Sequence, residues 1–326
     1  MGYPYYTGKS ENRRSDGPAK LPGSRRDIQT APAGYKPDSG LVDAVNVALL
    51  LGQPLLLTGE PGTGKTQLAY SLAWELGFDN PLIFETKSNS LARDLFYTYD
   101  ALGHFRAVQT GVAGSALTFI TWNALGRAIL LSLDKAHVES LLPPDLKNGG
   151  ERRSVVLIDE IDKAPRDFPN DLLNEIESLY FRVPELGNIE IRASHERSPV
   201  IVLTSNSEKS LPEAFLRRCV YYNIPFPERE ELIEIVTSRV GGFGAGENRL
   251  LSDAIDLFAE LRKPSSGLNK KPSTAELIGW LTALTEISVM IDQPLRKESV
   301  LETVGVLIKN QEDQKTARNI VEKWLK

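Results

Sequence analysis

The chain has 326 residues and a single cysteine, Cys219, so no internal disulfide framework can staple it. A reducing, cytoplasmic setting is expected. Its apolar runs fall far short of the ~18 residues that a membrane-spanning helix needs, so no membrane partner is expected. The first residues, Met1-Gly2-Tyr3-Pro4, carry no apolar signal segment, and Tyr6 stands where a myristoylation motif needs Ser or Thr. The three histidines, His104, His137 and His195, share no ligand spacing and indicate no zinc site. Basic residues are not in excess: 38 Lys+Arg stand against 43 Asp+Glu, giving a net charge of −5 with the signs interspersed. A dedicated nucleic-acid binder carries a basic stripe, so nucleic acid is an unfavoured partner. Apolar material is plentiful, at 41% of residues, enough to bury a sizeable core in about two domains.

The most informative stretch is Gly59-Glu60-Pro61-Gly62-Thr63-Gly64-Lys65-Thr66, which fits G-x-x-x-x-G-K-[ST] without a mismatch. An apolar run, Pro54-Leu55-Leu56-Leu57-Thr58, feeds into it and a helical pattern leaves it. Three glycines let backbone N–H groups point inward at a polyphosphate without side-chain clashes. Gly59, Glu60, Pro61, Gly62, Thr63, Gly64, Lys65, Thr66 and Gln67 are therefore the expected nucleotide contacts. Lys65 supplies a point charge for the β- and γ-phosphates, and the Thr66 hydroxyl can hold Mg²⁺. The helix that starts here adds its positive dipole end to the same anion site. Nothing in the loop itself chooses ATP over GTP.

Residues 1–33 are rich in Gly, Pro, Ser and Arg and read as a flexible arm. Its pairs Arg13-Arg14 and Arg25-Arg26 are expected to be solvated. From 34 to 225, strand and helix patterns alternate. Leu55–Thr58, Leu82–Thr86, Val155–Ile158, Val200–Thr204 and Val220–Ile224 qualify as buried parallel strands. Leu68, Ala69, Leu72, Ala73 and Leu76 form one helical stripe, closed by Gly77. Phe168, Leu172, Leu173, Ile176 and Leu179 form another. The fold class expected is α/β, a doubly wound parallel five-stranded sheet with its ligand at the carboxyl ends of the strands. Beyond Pro225 the strands stop, and 226–326 reads as an all-helical domain with helices near 227–240, 249–262, 273–290, 296–308 and 312–325. A capping box, Ser273-Thr274-Ala275-Glu276, marks the third of these.

Hydrolysis needs more than a phosphate loop. The third strand ends Val155-Val156-Leu157-Ile158-Asp159-Glu160, four apolar residues and two carboxylates. Asp159 at the strand tip is placed to hold Mg²⁺, and Glu160 to polarise an attacking water as general base. The fourth strand leads into Asn206, whose amide can hydrogen-bond a γ-phosphate or that water. Leu211 through Arg218 reads as a short helix ending in Arg217-Arg218, placed to reach a nucleotide on a neighbouring subunit. Cys219 against the fifth strand reads as a small core residue.

In this order these motifs resemble the AAA+ ATPases. The run Ile158-Asp159-Glu160-Ile161-Asp162-Lys163-Ala164, with Phe168-Pro169 and Leu172-Leu173 after it, is similar to the MoxR branch. So is Thr204-Ser205-Asn206 through Arg217-Arg218. The resemblance spans about 35 to 290. It implies a ring, commonly of six copies, with ATP at each subunit boundary and adenine near Gly34-Tyr35. The activity implied is chaperone-like remodelling of a protein client, often beside a von Willebrand A-type partner. The region Ser88 to Gly150 matches inserted elements that face the pore in the family. Its aromatics, Phe96, Tyr97, Tyr99 and Phe105, are either grips for a substrate chain or ordinary packing. Phe181–Glu185 and Ile189–Arg192 read as a hairpin around Gly187-Asn188. The family's lid arginine is missing: Thr274 falls where it is expected, and Lys271 precedes it.

Three functions compete. The first is an Mg²⁺-dependent ATPase that remodels a protein partner. The second is a nucleotide-dependent switch with slow turnover, against which the intact Glu160 and Arg218 argue. The third is a nucleic-acid-directed motor, against which the net charge argues.

Overall fold

The computed structural model describes residues 31–111, 114–143, 146, 150–207, 211–243, 248–287 and 291–324. Most of the expected arm, with its arginine pairs, lies outside the described residues. Contacts divide the chain into two compact units, Pro37–Phe226 and a second made of Pro227–Lys326 with the residues up to Lys36.

In the first unit, β1 (Leu55–Gly59), β2 (Leu82–Glu85), β5 (Val155–Asp159), β8 (Val200–Thr204) and β9 (Val220–Ile224) form one sheet in the order β2-β5-β8-β1-β9. Every neighbouring pair is parallel. The expected doubly wound five-stranded sheet is present. Leu55, Leu56 and Leu57 of β1 and Val155 to Ile158 of β5 are almost fully buried. A strand covered on both faces has no polar side to show, and this is why the runs are continuously apolar. Because all five strands run the same way, their carboxyl ends meet along one edge.

Helix α1 (Ser39–Leu51) starts where the Asp38 carboxylate accepts from the Leu41 N–H at 2.9 Å and ends at Gly52 with φ 63°. Helix α2 (Lys65–Glu75) leaves the glycine loop and buries Leu68, Ala69, Leu72 and Ala73. Leu76, expected on the same stripe, is exposed, because it caps the helix before Gly77 turns the chain at φ 70°. The Phe168–Leu179 stripe is not one helix. Two short turns, Phe168–Asp171 and Leu173–Ser178, replace it, and Leu179 leaves at φ 47°.

Between β2 and β5 the chain inserts β3 (Tyr97–Tyr99), α3 (Ala101–Gln109), β4 (Ile120–Trp122) and α4 (Ala124–Ser132). β3 and β4 pair antiparallel, with Tyr97 opposite Trp122. Phe96 stacks on Phe181 at 4.9 Å between ring centroids, and Tyr97 and Trp122 pack around the same ring. Phe96 and Tyr97 are thus core residues and cannot grip a substrate, while Leu102 and Phe105 on α3 are exposed. The hairpin's arms are β6 (Tyr180–Val183) and β7 (Ile189–Arg192), joined by a 3₁₀ turn, Pro184–Leu186. The first arm stops before Pro184, which has no N–H to give the ladder. Cys219 is half-buried, and desolvation pushes its thiol up to about 12.

The second unit holds α5 (Arg229–Arg239), α6 (Arg249–Arg262), α7 (Thr274–Glu286), α8 (Lys297–Leu307) and α9 (Gln311–Trp324). On α6, Leu250, Leu251, Ala254, Ile255, Leu257, Phe258 and Leu261 are buried, the period of a helix with one covered face. The capping box forms at α7: the Ser273 N–H donates to Glu276 Oε2 at 2.7 Å, and the Glu276 N–H to Ser273 Oγ at 3.4 Å. Trp280, fully buried, donates Nε1–H to Thr303 Oγ1 at 2.8 Å. Asp313 on α9 accepts from the backbone N–H groups of Asn269 and Lys270 at 2.8 and 2.9 Å, tying the last helix to the loop before α7. Thr274 is buried and Lys271 exposed, so no long cation projects from position 274. Among the described residues no helix is long and apolar enough to cross a membrane.

Candidate nucleotide site

The turn from β1 into α2 is built on three glycines at positive φ: Gly59 at 143°, Gly62 at 81° and Gly64 at 92°. At Gly59 the constraint is also steric, since a Cβ there would lie 2.7 Å from the Ile224 carbonyl oxygen. The Thr63 hydroxyl donates to the Glu60 carbonyl at 2.9 Å and pins the loop's middle. Gln67 carries a buried side-chain oxygen with no hydrogen-bond partner among the described residues.

Lys65 is nearly enclosed. Its ammonium donates to the carbonyls of Gly59 at 2.8 Å and Glu60 at 3.0 Å and to Asn206 Oδ1 at 3.1 Å. Burial pulls its pKa below the ordinary 10.5, and the carboxylates of Asp162, Asp159 and Glu160 pull the other way. All three of these acceptors are neutral oxygens, which hydrogen-bond the ammonium without cancelling its charge.

The strand register brings the rest together. Ile158 lies opposite Leu203 and Leu57 opposite Thr204, so the tips of β1, β8 and β5 are level. The Thr66 hydroxyl lies 3.0 and 3.3 Å from the two Asp159 oxygens. The Thr204 hydroxyl donates to Asp159 Oδ1 at 2.6 Å and accepts the Glu160 N–H at 2.8 Å. One buried threonine therefore orients both carboxylate residues. Asp162 accepts the Asn206 N–H at 3.2 Å and fixes the turn that carries the amide to Lys65. Glu160 sits in the left-handed region at φ 55°, and its carboxylate pairs with Lys163.

Lys65, Thr66, Asp159, Glu160 and Asn206 thus form one connected cluster with the glycine loop. Arg217 and Arg218 are not part of it. Arg217 pairs with Glu213, and Arg218 Nε donates to Glu177 Oε2 at 3.0 Å. Tyr35 belongs to the other unit, beside a 3₁₀ turn, Pro32–Gly34, whose Gly34 carbonyl accepts from the Ser238 hydroxyl. Thr204 and Asp162 were not singled out from the sequence. The signal for Thr204 was a hydroxyl closing an apolar strand just before Ser205-Asn206. For Asp162 it was a carboxylate one turn beyond Asp159.

The donor set fits Mg²⁺ held together with a nucleotide's phosphates. A hydroxyl and a carboxylate are hard oxygens, and Mg²⁺ bound beside phosphates needs only one or two protein ligands. No group of three or more His, Cys, Asp or Glu suited to a metal occurs among the described residues, so phosphate and water oxygens would complete the shell.

A glycine cradle with an enclosed lysine at the tip of a parallel sheet, level with a hydroxyl–carboxylate pair, defines a P-loop nucleotide-binding protein. The chain belongs to the AAA family: residues 54–219 match the family described as AAA domain (dynein-related subfamily). A search of curated proteins gives no match. Among solved structures the chain is similar to the Thermotoga maritima RuvB Holliday junction branch migration motor. That likeness has 20% identity and a TM-score of 0.41, covering 84% of this chain and 69% of that one. A proline-to-glycine mutant of the same protein gives 20% identity, a TM-score of 0.43 and coverages of 84% and 70%.

Proposed function

We propose that the chain is an Mg²⁺-dependent ATPase of the MoxR type that assembles into a ring, commonly of six copies, and remodels a protein partner. The observation that carries this is the contact of the Thr66 hydroxyl with Asp159, bridged through Thr204 to Glu160. Thr66 and Asp159 would hold the ion, and when bound Mg²⁺ neutralises charge on the phosphate oxygens. Lys65 exchanges its carbonyl acceptors for the β- and γ-phosphates, and the loop from Gly59 to Gln67 surrounds them with N–H groups. Glu160, released from Lys163, takes the proton of the attacking water. Asn206 accepts from Lys65 through Oδ1, which leaves its N–H₂ to donate to the γ-phosphate or the water. Arg217 and Arg218 act on a neighbouring copy's nucleotide.

The switch with slow turnover has its own support: Glu160, Arg217 and Arg218 are all held in ion pairs within the chain. Phosphate release with ATP and with GTP, over a hundredfold range of protein concentration, separates the two. The ATPase ring predicts a per-subunit ATP rate that climbs with concentration. A flat rate near zero with both nucleotides supports the switch instead.

A further inference from the structure

We infer that the open edge of β2 is a docking strip on which an extended polypeptide segment of a protein partner adds to the sheet as a sixth strand. β2 stands at the end of the sheet and pairs with β5 alone. Among the described residues, no backbone hydrogen bond ties residues 82–85 to any other element. A row of N–H and C=O groups left open in this way is a template for another strand. Sequences normally blunt such an edge with charge or proline inside the strand; here the one charge, Glu85, comes at the last position, the three residues before it, Leu82-Ile83-Phe84, are apolar, and Ile83 is 40% exposed.

A groove of about 760 Å³ runs beside this strand. All four β2 residues line it. Successive residues of a strand point to opposite faces, so only a groove that follows the edge can touch all four. The facing wall is the insert, with Trp122 and the exposed cross-strand pair Thr98 and Thr121. An extended segment is the occupant that this edge selects, because only a strand can take up its row of N–H and C=O groups, whereas a helix has already spent its own backbone groups internally. The walls carry both signs, Glu85 and Asp94 against Lys87, so a segment of little net charge suits them. The inner side of β2 leads to the nucleotide site: Glu85 pairs with Asp159, and the Thr86 N–H donates to the Asp159 carbonyl at 3.2 Å.

This inference stands apart from ATP hydrolysis and holds whether or not the chain turns over nucleotide. The test selects peptides from a phage-displayed random dodecapeptide pool on the full chain. Synthetic copies are then titrated by fluorescence anisotropy against wild type, Ile83→Lys and Thr98→Arg. Both variants lie outside the nucleotide site, and unchanged melting and phosphate release verify that they fold. The expected result is that selected peptides bind wild type at least tenfold more tightly than either variant. Hydrogen exchange of the complex then shows new protection at 82–85. Peptides that bind the variants equally, protect another segment, or cannot be selected at all overturn the proposal. It is also overturned if either variant changes the sedimentation of the free chain, since the occupant is then a second copy. Protection at 82–85 that is already present in the free chain and vanishes on deleting residues 1–30 identifies the chain's own arm and overturns it too.

Discussion

Replacing Thr204 by valine keeps the shape of the β8 tip and removes one hydroxyl, which makes it a sharp probe of the site. That hydroxyl donates to Asp159 Oδ1 at 2.6 Å and accepts the Glu160 N–H at 2.8 Å, and Thr204 is wholly buried. Water cannot take its place, so Thr204→Val leaves a carboxylate oxygen and a backbone donor each short of one partner. An unsatisfied buried group costs about 1–3 kcal/mol; two would cost about 2–6, but Asp159 Oδ1 keeps the Thr66 hydroxyl, which brings the loss for the pair to about 2–4 kcal/mol of folding stability. Part of that loss falls on catalysis, because the same bonds aim Asp159 and Glu160. At about 1.36 kcal/mol per decade, a share of about 1.4–2.7 kcal/mol lowers kcat by about 10- to 100-fold. Nucleotide binding changes little, since neither the glycine loop nor Lys65 bonds to Thr204. Thr204→Ser keeps the hydroxyl and restores most of both properties. Urea unfolding and steady-state phosphate release on the three proteins read the outcome. A valine variant within threefold of wild-type kcat, or a serine variant no better than valine, refutes the reasoning.

Glu160→Gln is expected to lower turnover by about 10²–10⁴-fold while retaining labelled ATP in equilibrium binding, because only the proton acceptor is lost. Gly59→Ala is expected to lower stability by about 1–3 kcal/mol in urea titrations and to weaken ATP binding, since an alanine there must leave φ 143° or strike the Ile224 carbonyl. For Asp313, burial pushes the pKa up, but hydrogen bonds from Asn269, Lys270 and Asn310 outweigh it and hold the carboxyl below its ordinary 3.8. Its stabilisation is therefore complete above the ordinary value and lost as pH falls through the lower folded one. Asp313→Asn should melt several degrees below wild type at pH 7, with the gap closing toward pH 2; an equal gap at both ends contradicts the assignment.

The sheet was legible because its strands are covered on both faces. Leu55–Leu57 and Val155–Ile158 have no polar alternate positions, and such runs fit little else. The glycine loop was legible because positive φ is written directly in residue type. The role of Thr204 was hidden because threonine is an ordinary strand former, and its value arises only when β8 aligns with β5, a pairing that local sequence does not encode. The insert hid its packing for the same reason. Phe96, Tyr97 and Phe105 look alike in sequence, but the ring that buries the first two, Phe181, comes from a distant hairpin. The stripe from Phe168 to Leu179 has helical spacing throughout, yet the chain breaks it at Leu172 and leaves it through a left-handed Leu179. Arg217 and Arg218 stand out in the sequence by order and spacing alone, and within a single copy they pair with Glu213 and Glu177.

Under the proposed role of Glu160 as general base, its left-handed backbone sets folding and turnover against each other. At φ 55° a long side chain bears about 1–2 kcal/mol of strain that asparagine, which tolerates this region, largely avoids. A copy carrying Glu160→Asn would thus be sturdier and idle. If Glu160 is the proposed general base, selection for stability alone would drift toward that form, and a requirement for turnover would oppose it.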